Sequence, residues 1–170
     1  MESEFIKLVV PVVASLVGGL LTYLGIFSTQ RFTRIREQRQ HLQAKLERAY
    51  TLAQSLYDGH KTEITKLKAS ENATATDWLE HRKHPGEVMS ELKMIVGMYF
   101  PVLQSALNDV DKYHQVIKEG FLNIDEEMLR GVSTWTLRNE VANDMKIELE
   151  HLGDSLTALK QKIASQVGKL

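Results

Sequence analysis

Residues 8–27 of the chain read LVVPVVASLVGGLLTYLGIF, twenty residues without a charge. At 1.5 Å per residue they form a helix about 30 Å long, roughly the hydrocarbon thickness of a bilayer. A helix buried in a soluble domain rarely stays apolar on every face for so long. The sequence therefore predicts one N-terminal membrane-spanning helix, with residues 1–30 as the membrane anchor. A cleaved signal peptide fits less well, because a basic N-terminal region and an Ala-x-Ala cleavage pattern are missing.

The charges that flank this stretch predict its orientation. The N-terminal flank has a single lysine, whereas four arginines follow the stretch within a dozen residues and are opposed only by Glu37. Basic residues favour the cytoplasmic side, so we expect the N-terminus outside and residues 31–170 in the cytoplasm, at a plasma or bacterial inner membrane. Near anionic lipid headgroups, each of the four arginines would contribute about 1 kcal/mol to membrane binding. These arginines are Arg31, Arg34, Arg36 and Arg39.

Small residues recur along one face of the apolar stretch. Ala14, Gly18 and Thr22 are four residues apart, and Gly25 lies close to the same face. Small side chains at this spacing let two membrane helices approach closely. The pattern predicts association of membrane helices through this face.

The composition limits the classes of function. The chain has 170 residues, no cysteine, and 21 Lys plus Arg against 22 Asp plus Glu. A nucleic-acid-binding protein usually has a basic excess, so we expect no nucleic-acid partner. The lack of cysteine excludes disulfides, Cys-based zinc sites and Cys–His catalysis.

Residues 31–170 are rich in good helix formers and predict an all-α domain. We expect three helices packed up–down–up, with coiled-coil character. The first covers about 31–69. The second covers about 85–119 and is kinked or split at Pro101, and it ends near Gly120. The third covers about 125–168 and is capped by Asp125.

The third predicted helix carries a heptad seam, interrupted by Arg138. Such a seam does not distinguish packing within one chain from packing between chains. The seam consists of Trp135, Ala142, Leu149, Leu156 and Ile163 together with Met145, Leu152 and Leu159.

Residues 94–102 (MIVGMYFPV) are apolar on nearly every face. They predict either a central helix buried on all sides or an adaptable partner surface next to a proline break. The side chains of such a surface would be Met94, Met98, Tyr99 and Phe100.

Several titratable residues have the spacing of possible catalytic or metal-binding groups. Glu148-x-x-His151 and Asp111-x-x-His114 resemble parts of dimetal motifs, but both flank the apolar stripes and indicate solvated helix faces. His60 lies on an apolar stripe and predicts a core or interface histidine. A cluster of possible ligands is interrupted by Pro85 and indicates a polar hinge. This cluster comprises Asp77, Glu80, His81, His84 and Glu87.

These observations predict a non-enzymatic protein without metal or cofactor, and without a small-molecule substrate. The main hypothesis is a membrane-tethered helical scaffold that contacts lipid and recruits a protein partner or assembles with itself. One alternative is a self-associating effector, such as a toxin or defence protein, that perturbs the bilayer. Another is a helical-bundle metal protein or enzyme.

Overall fold

The computed structural model describes residues 2–69, 85–130 and 135–168. Side chains are described from residue 15 onward, apart from 69, 128, 129 and 135. The prediction of an all-α chain is confirmed, since these residues form helices and no strand. The elements are α1 (Glu2–Ala69), α2 (Pro85–Tyr99), a 3-10 turn (Pro101–Leu103), α3 (Gln104–Leu129) and α4 (Trp135–Val167).

The chain divides into two units, Met1–Leu42 and Gln43–Leu170. In the first unit every described residue from 15 to 41 is exposed, so these residues add nothing to a buried core. This explains why the second unit begins at Gln43 and not at residue 31. Among the described side chains, no helix has a segment long and apolar enough to cross a membrane. The predicted span begins at Leu8, and the side chains of residues 8–14 lie outside that described set.

The described residues of the second unit form a four-helix bundle, and the contacts between the helices give the direction of each one. Arg48 pairs with Glu91 at 2.8 Å, and a Cβ on Gly59 would lie 3.8 Å from Pro85 Cγ, so α2 runs antiparallel to α1. Lys93 on α2 pairs with Asp111 on α3 at 2.7 Å, across a chain reversal.

The last helix also runs antiparallel to its neighbours. Lys68, near the end of α1, donates a hydrogen bond to Asn143, near the start of α4. Lys160, near the end of α4, donates a hydrogen bond to Gln54, which lies earlier on α1. The Tyr113 ring of α3 stacks on His151 of α4. The topology is therefore up–down–up–down, and the prediction of a three-helix up–down–up bundle is wrong.

The difference arises at Pro101, where the chain reverses instead of kinking. A residue before proline is disfavoured in the helical region, and Phe100 leaves it with φ −139° and ψ 59°. Pro101 then begins the 3-10 turn, in which Leu103 donates a backbone hydrogen bond to Phe100. Residues 85–119 thus contribute to two antiparallel helices and not to one kinked helix.

The predicted helix end at Gly120 and helix start at Asp125 are also wrong. Helix α3 continues through both residues to Leu129. Phe121 and Ile124 are buried and extend the apolar stripe of Val110 and Ile117. The glycine serves close packing, because a Cβ on Gly120 would lie 2.5 Å from Met145 Cε of α4.

The heptad seam of α4 packs within the chain. Its described members are all buried in the single chain, so the bundle itself covers them. The buried members are Ala142, Met145, Leu149, Leu152, Leu156, Leu159 and Ile163. Arg138, which interrupts the seam, is buried as well.

Candidate functional site

A buried pair of histidines joins α1 and α3 in the bundle. His60 Nε2 and His114 Nδ1 lie 2.9 Å apart, which is a hydrogen-bonding distance. The ring centroids are 5.1 Å apart and the rings are inclined at 52°, so the rings meet through the nitrogens and do not stack. Both side chains are 2% exposed. The prediction that His60 is a core histidine is confirmed.

Glu63 extends this pair on α1. It lies one helical turn beyond His60, is 6% exposed, and places Oε2 3.8 Å from His60 Nδ1. At this distance the two atoms form an ion pair when the ring is protonated. Three titratable side chains therefore lie in line in the bundle interior, in the order Glu63, His60, His114.

A groove with a volume of about 490 Å³ opens beside the three side chains. Its other walls come from the N-terminal turn of α2 and from α3, so three helices meet there. Because the histidines line the groove, protons can reach them from solvent although little of their surface is exposed. The lining residues are His60, Glu63, Pro85, Gly86, Glu87, His114, Lys118, Phe121 and Leu122.

The pKa of His114 is lowered, chiefly because burial disfavours the imidazolium. The Asp111 carboxylate acts in the opposite direction, whereas Lys118 and Lys93 lower the pKa further. The pKa of Asp111 is itself lowered. Burial alone would raise it, but hydrogen bonds from Lys93 and Gln115 and the Lys93 charge outweigh that effect. A neutral His114 therefore sits next to an ionised, paired Asp111.

Among the described residues, no group of three or more His, Cys, Asp or Glu side chains converges as metal ligands would. In the predicted polar hinge only Glu87 is described, and Asp77, Glu80, His81 and His84 lie outside the described residues.

The two dimetal-like pairs are placed differently from each other. Glu148 is half-buried and His151 is exposed. On α3, Asp111 is half-buried but His114 is fully buried, so the prediction that His114 lies on a solvated face is wrong. His114 follows Val110 by four residues and precedes Ile117 by three, which is the spacing of the buried stripe.

The small-residue face of α1 is open in the first unit. A Cβ on Gly18 or Gly25 would meet no atom within 4 Å, and Thr22 Oγ1 donates to the Gly18 carbonyl at 2.8 Å. The Ala14 side chain lies outside the described set. The four arginines at 31, 34, 36 and 39 are exposed.

The predicted partner surface is divided by the reversal at Pro101. Met94 and Met98 are 55% and 68% exposed, and Val102 in the 3-10 turn is 63% exposed. Tyr99 is half-buried with Lys45 Nζ 5.5 Å from its ring centroid, and Phe100 is buried. Within residues 94–102, the exposed large apolar side chains are therefore Met94, Met98 and Val102, and we call them the Met94–Val102 surface.

Comparisons with protein-family models, with curated proteins and with solved structures gave no match.

Proposed function

We propose that this protein is a membrane-tethered helical interaction module. Its N-terminal helix crosses the bilayer once, with the N-terminus outside, and the bundle recruits a protein partner or assembles with itself at the cytoplasmic face. Its action would be local concentration and orientation of partners, without bond chemistry.

The observation that carries the proposal is the exposure of the apolar part of α1. At 100° per residue, its large side chains between 16 and 27 point in all directions, and each is 52–69% exposed. Apolar surface of this extent requires an apolar cover, and lipid covers every face of a helix at once. The side chains concerned are Leu16, Val17, Leu20, Leu21, Tyr23, Leu24, Ile26 and Phe27.

The few polar groups of this segment are compatible with lipid. Thr22 donates to the Gly18 carbonyl, and Ser28 and Thr29 both donate to the Gly25 carbonyl, at 2.8–3.0 Å. A hydroxyl that is satisfied by its own helix avoids most of the cost of entering hydrocarbon. The exposed arginines that follow then fit the cytoplasmic headgroup region.

Membrane attachment is tested with the full-length chain expressed in bacteria. We expect wild-type protein to float with membranes and to resist alkaline carbonate extraction. The triple variant Leu16→Lys, Leu20→Lys, Leu24→Lys should leave the membrane, because each lysine near the bilayer centre costs about 2.5–3.5 kcal/mol. The matched control Val116→Lys, Leu122→Lys, Ile147→Lys changes exposed apolar residues of the bundle and should stay in the membrane.

Wild-type protein that carbonate extracts would contradict the proposal. Orientation is tested in the same cells, because the chain has no cysteine of its own. A cysteine introduced at Ser3 should react with a membrane-impermeant maleimide in intact cells. One introduced at Gly97, an exposed bundle position, should react only after permeabilisation.

A further inference from the structure

We propose that the His60–His114 pair is a proton-operated latch, which holds α1 against α3 near neutral pH and releases when both imidazoles are protonated. The inference concerns the bundle alone and is independent of membrane attachment.

The latch follows from the hydrogen-bonding capacity of imidazole. Two neutral rings, or one neutral and one charged ring, can share a hydrogen bond, because one facing nitrogen donates and the other accepts. When both rings take up a proton from solvent, both facing nitrogens carry N–H groups and both rings are cationic. At 2.9 Å that arrangement has two donors, no acceptor and two like charges in the bundle interior.

The surrounding charges decide how many protons the pair tolerates. On α1, Glu63 Oε2 lies 3.8 Å from His60 Nδ1, on the far side of the His60 ring from His114. On α2, Glu87 lines the groove and Lys93 lowers the pKa of His114 electrostatically.

The α3 charges act on His114 in opposite directions, because Asp111 favours a charged His114 and Lys118 opposes it. On α4, His151 stacks on Tyr113, the residue before His114. A second proton on the pair meets the charge of the first across 2.9 Å.

The direction of the pH effect follows from burial. The pKa of His114 in the folded chain is lowered from 6.5, so the folded state binds fewer protons than the unfolded state as the pH falls below that value. Stability of the latch is complete above about pH 6.5 and decreases on acidification. Opening would loosen the end of the bundle where Pro85 packs on Gly59 and Phe121 lines the groove.

Hydrogen exchange on the full-length chain in detergent micelles, corrected for intrinsic rates, tests the latch between pH 7.5 and 5.0. We expect the opening equilibrium of residues 56–67 and 110–121 to rise about tenfold or more. At the other end of the bundle, residues 46–53 serve as the internal reference and should change less than threefold.

The matched variant is His60→Gln with His114→Asn. A Gln amide can replace Nε2 and an Asn amide can replace Nδ1, so a polar contact remains without a titratable group. This variant should lose the acid response. The control His41→Gln with His151→Gln changes two exposed histidines and should keep it.

Uniform exchange along the wild-type bundle at both pH values, or an acid response of the Gln–Asn variant equal to that of wild type, would overturn the latch. If the double variant fails to fold, the comparison of the two ends of the wild-type bundle still decides the question.

Discussion

Single side chains determine how closely α3 and α4 approach. A Cβ on Gly120 would lie 2.5 Å from Cε and 3.5 Å from Cγ of Met145. Alanine at position 120 would displace only the flexible end of the Met145 side chain, whereas a branched side chain would displace the whole Met145 side chain.

We therefore expect Gly120→Val to destabilise the bundle by about 1–3 kcal/mol, measured by denaturant unfolding of the full-length chain in detergent. Gly97→Ala is the control, because a Cβ there meets no atom within 4 Å. That change should be neutral or stabilising by up to about 1 kcal/mol, since alanine is the better helix former. Equal stability of Gly120→Val and wild type would show that the two helices are not held this closely.

At the same scale, the sequence predicted one half of the histidine pair. His60 replaces an apolar residue on a regular stripe, so its burial could be read from spacing. Its contact with His114 could not, because 54 residues and a chain reversal separate them. Spacing places a side chain on a face of its own helix but does not identify its neighbour on another helix.

At the scale of the element, the continuity of α3 distinguishes the structure from the predicted connection at 121–124. Phe121 is fully buried inside the helix, whereas its neighbour Leu122 is 48% exposed. We expect Phe121→Ala to cost about 3–5 kcal/mol of unfolding free energy and Leu122→Ala less than about 1 kcal/mol. Thermal and denaturant unfolding of the two variants side by side would measure this difference. Similar small losses for both variants would restore the predicted connection.

The helices of the bundle were largely predictable from apolar periodicity, and their turns were not. Pro101 marked an interruption in the sequence, but proline is compatible with a kink and with a reversal. In the structure α3 returns along α2, where Lys93 pairs with Asp111, and this contact between two helices cannot be read from the spacing within either one. Glycine is common at helix ends, so the sequence predicts an end at Gly120, whereas in the structure this glycine makes room for Met145.

At the scale of the whole molecule, the proposed interaction module predicts complexes with a second copy or with a protein partner. Crosslinking in native membranes followed by native electrophoresis separates the possibilities. We expect Gly18→Ile to reduce homo-oligomers, because Gly18 is open on the small-residue face, whereas Gly19→Ile on a different face should not.

In the same experiment, Met94→Glu with Met98→Glu should remove hetero-complexes and leave homo-oligomers unchanged, because it alters the Met94–Val102 surface alone. A wild-type chain that forms neither kind of complex would contradict the interaction module. Homo-oligomers that persist in Gly18→Ile would exclude the small-residue face as their interface.

The up–down–up–down order makes the first and last helices neighbours. Lys68 and Asn143 are 75 residues apart in sequence, and Gln54 and Lys160 are 106 apart. Closing loops of this size is the slow part of folding a small helical domain, whereas the α2–α3 hairpin closes locally. During synthesis, the ribosome must release the last residues of α4 before the apolar stripe of α1 gains its final cover. The stripe therefore stays accessible to chaperones and proteases until α4 has emerged and packed, and a chain stopped before α4 would be a substrate for both.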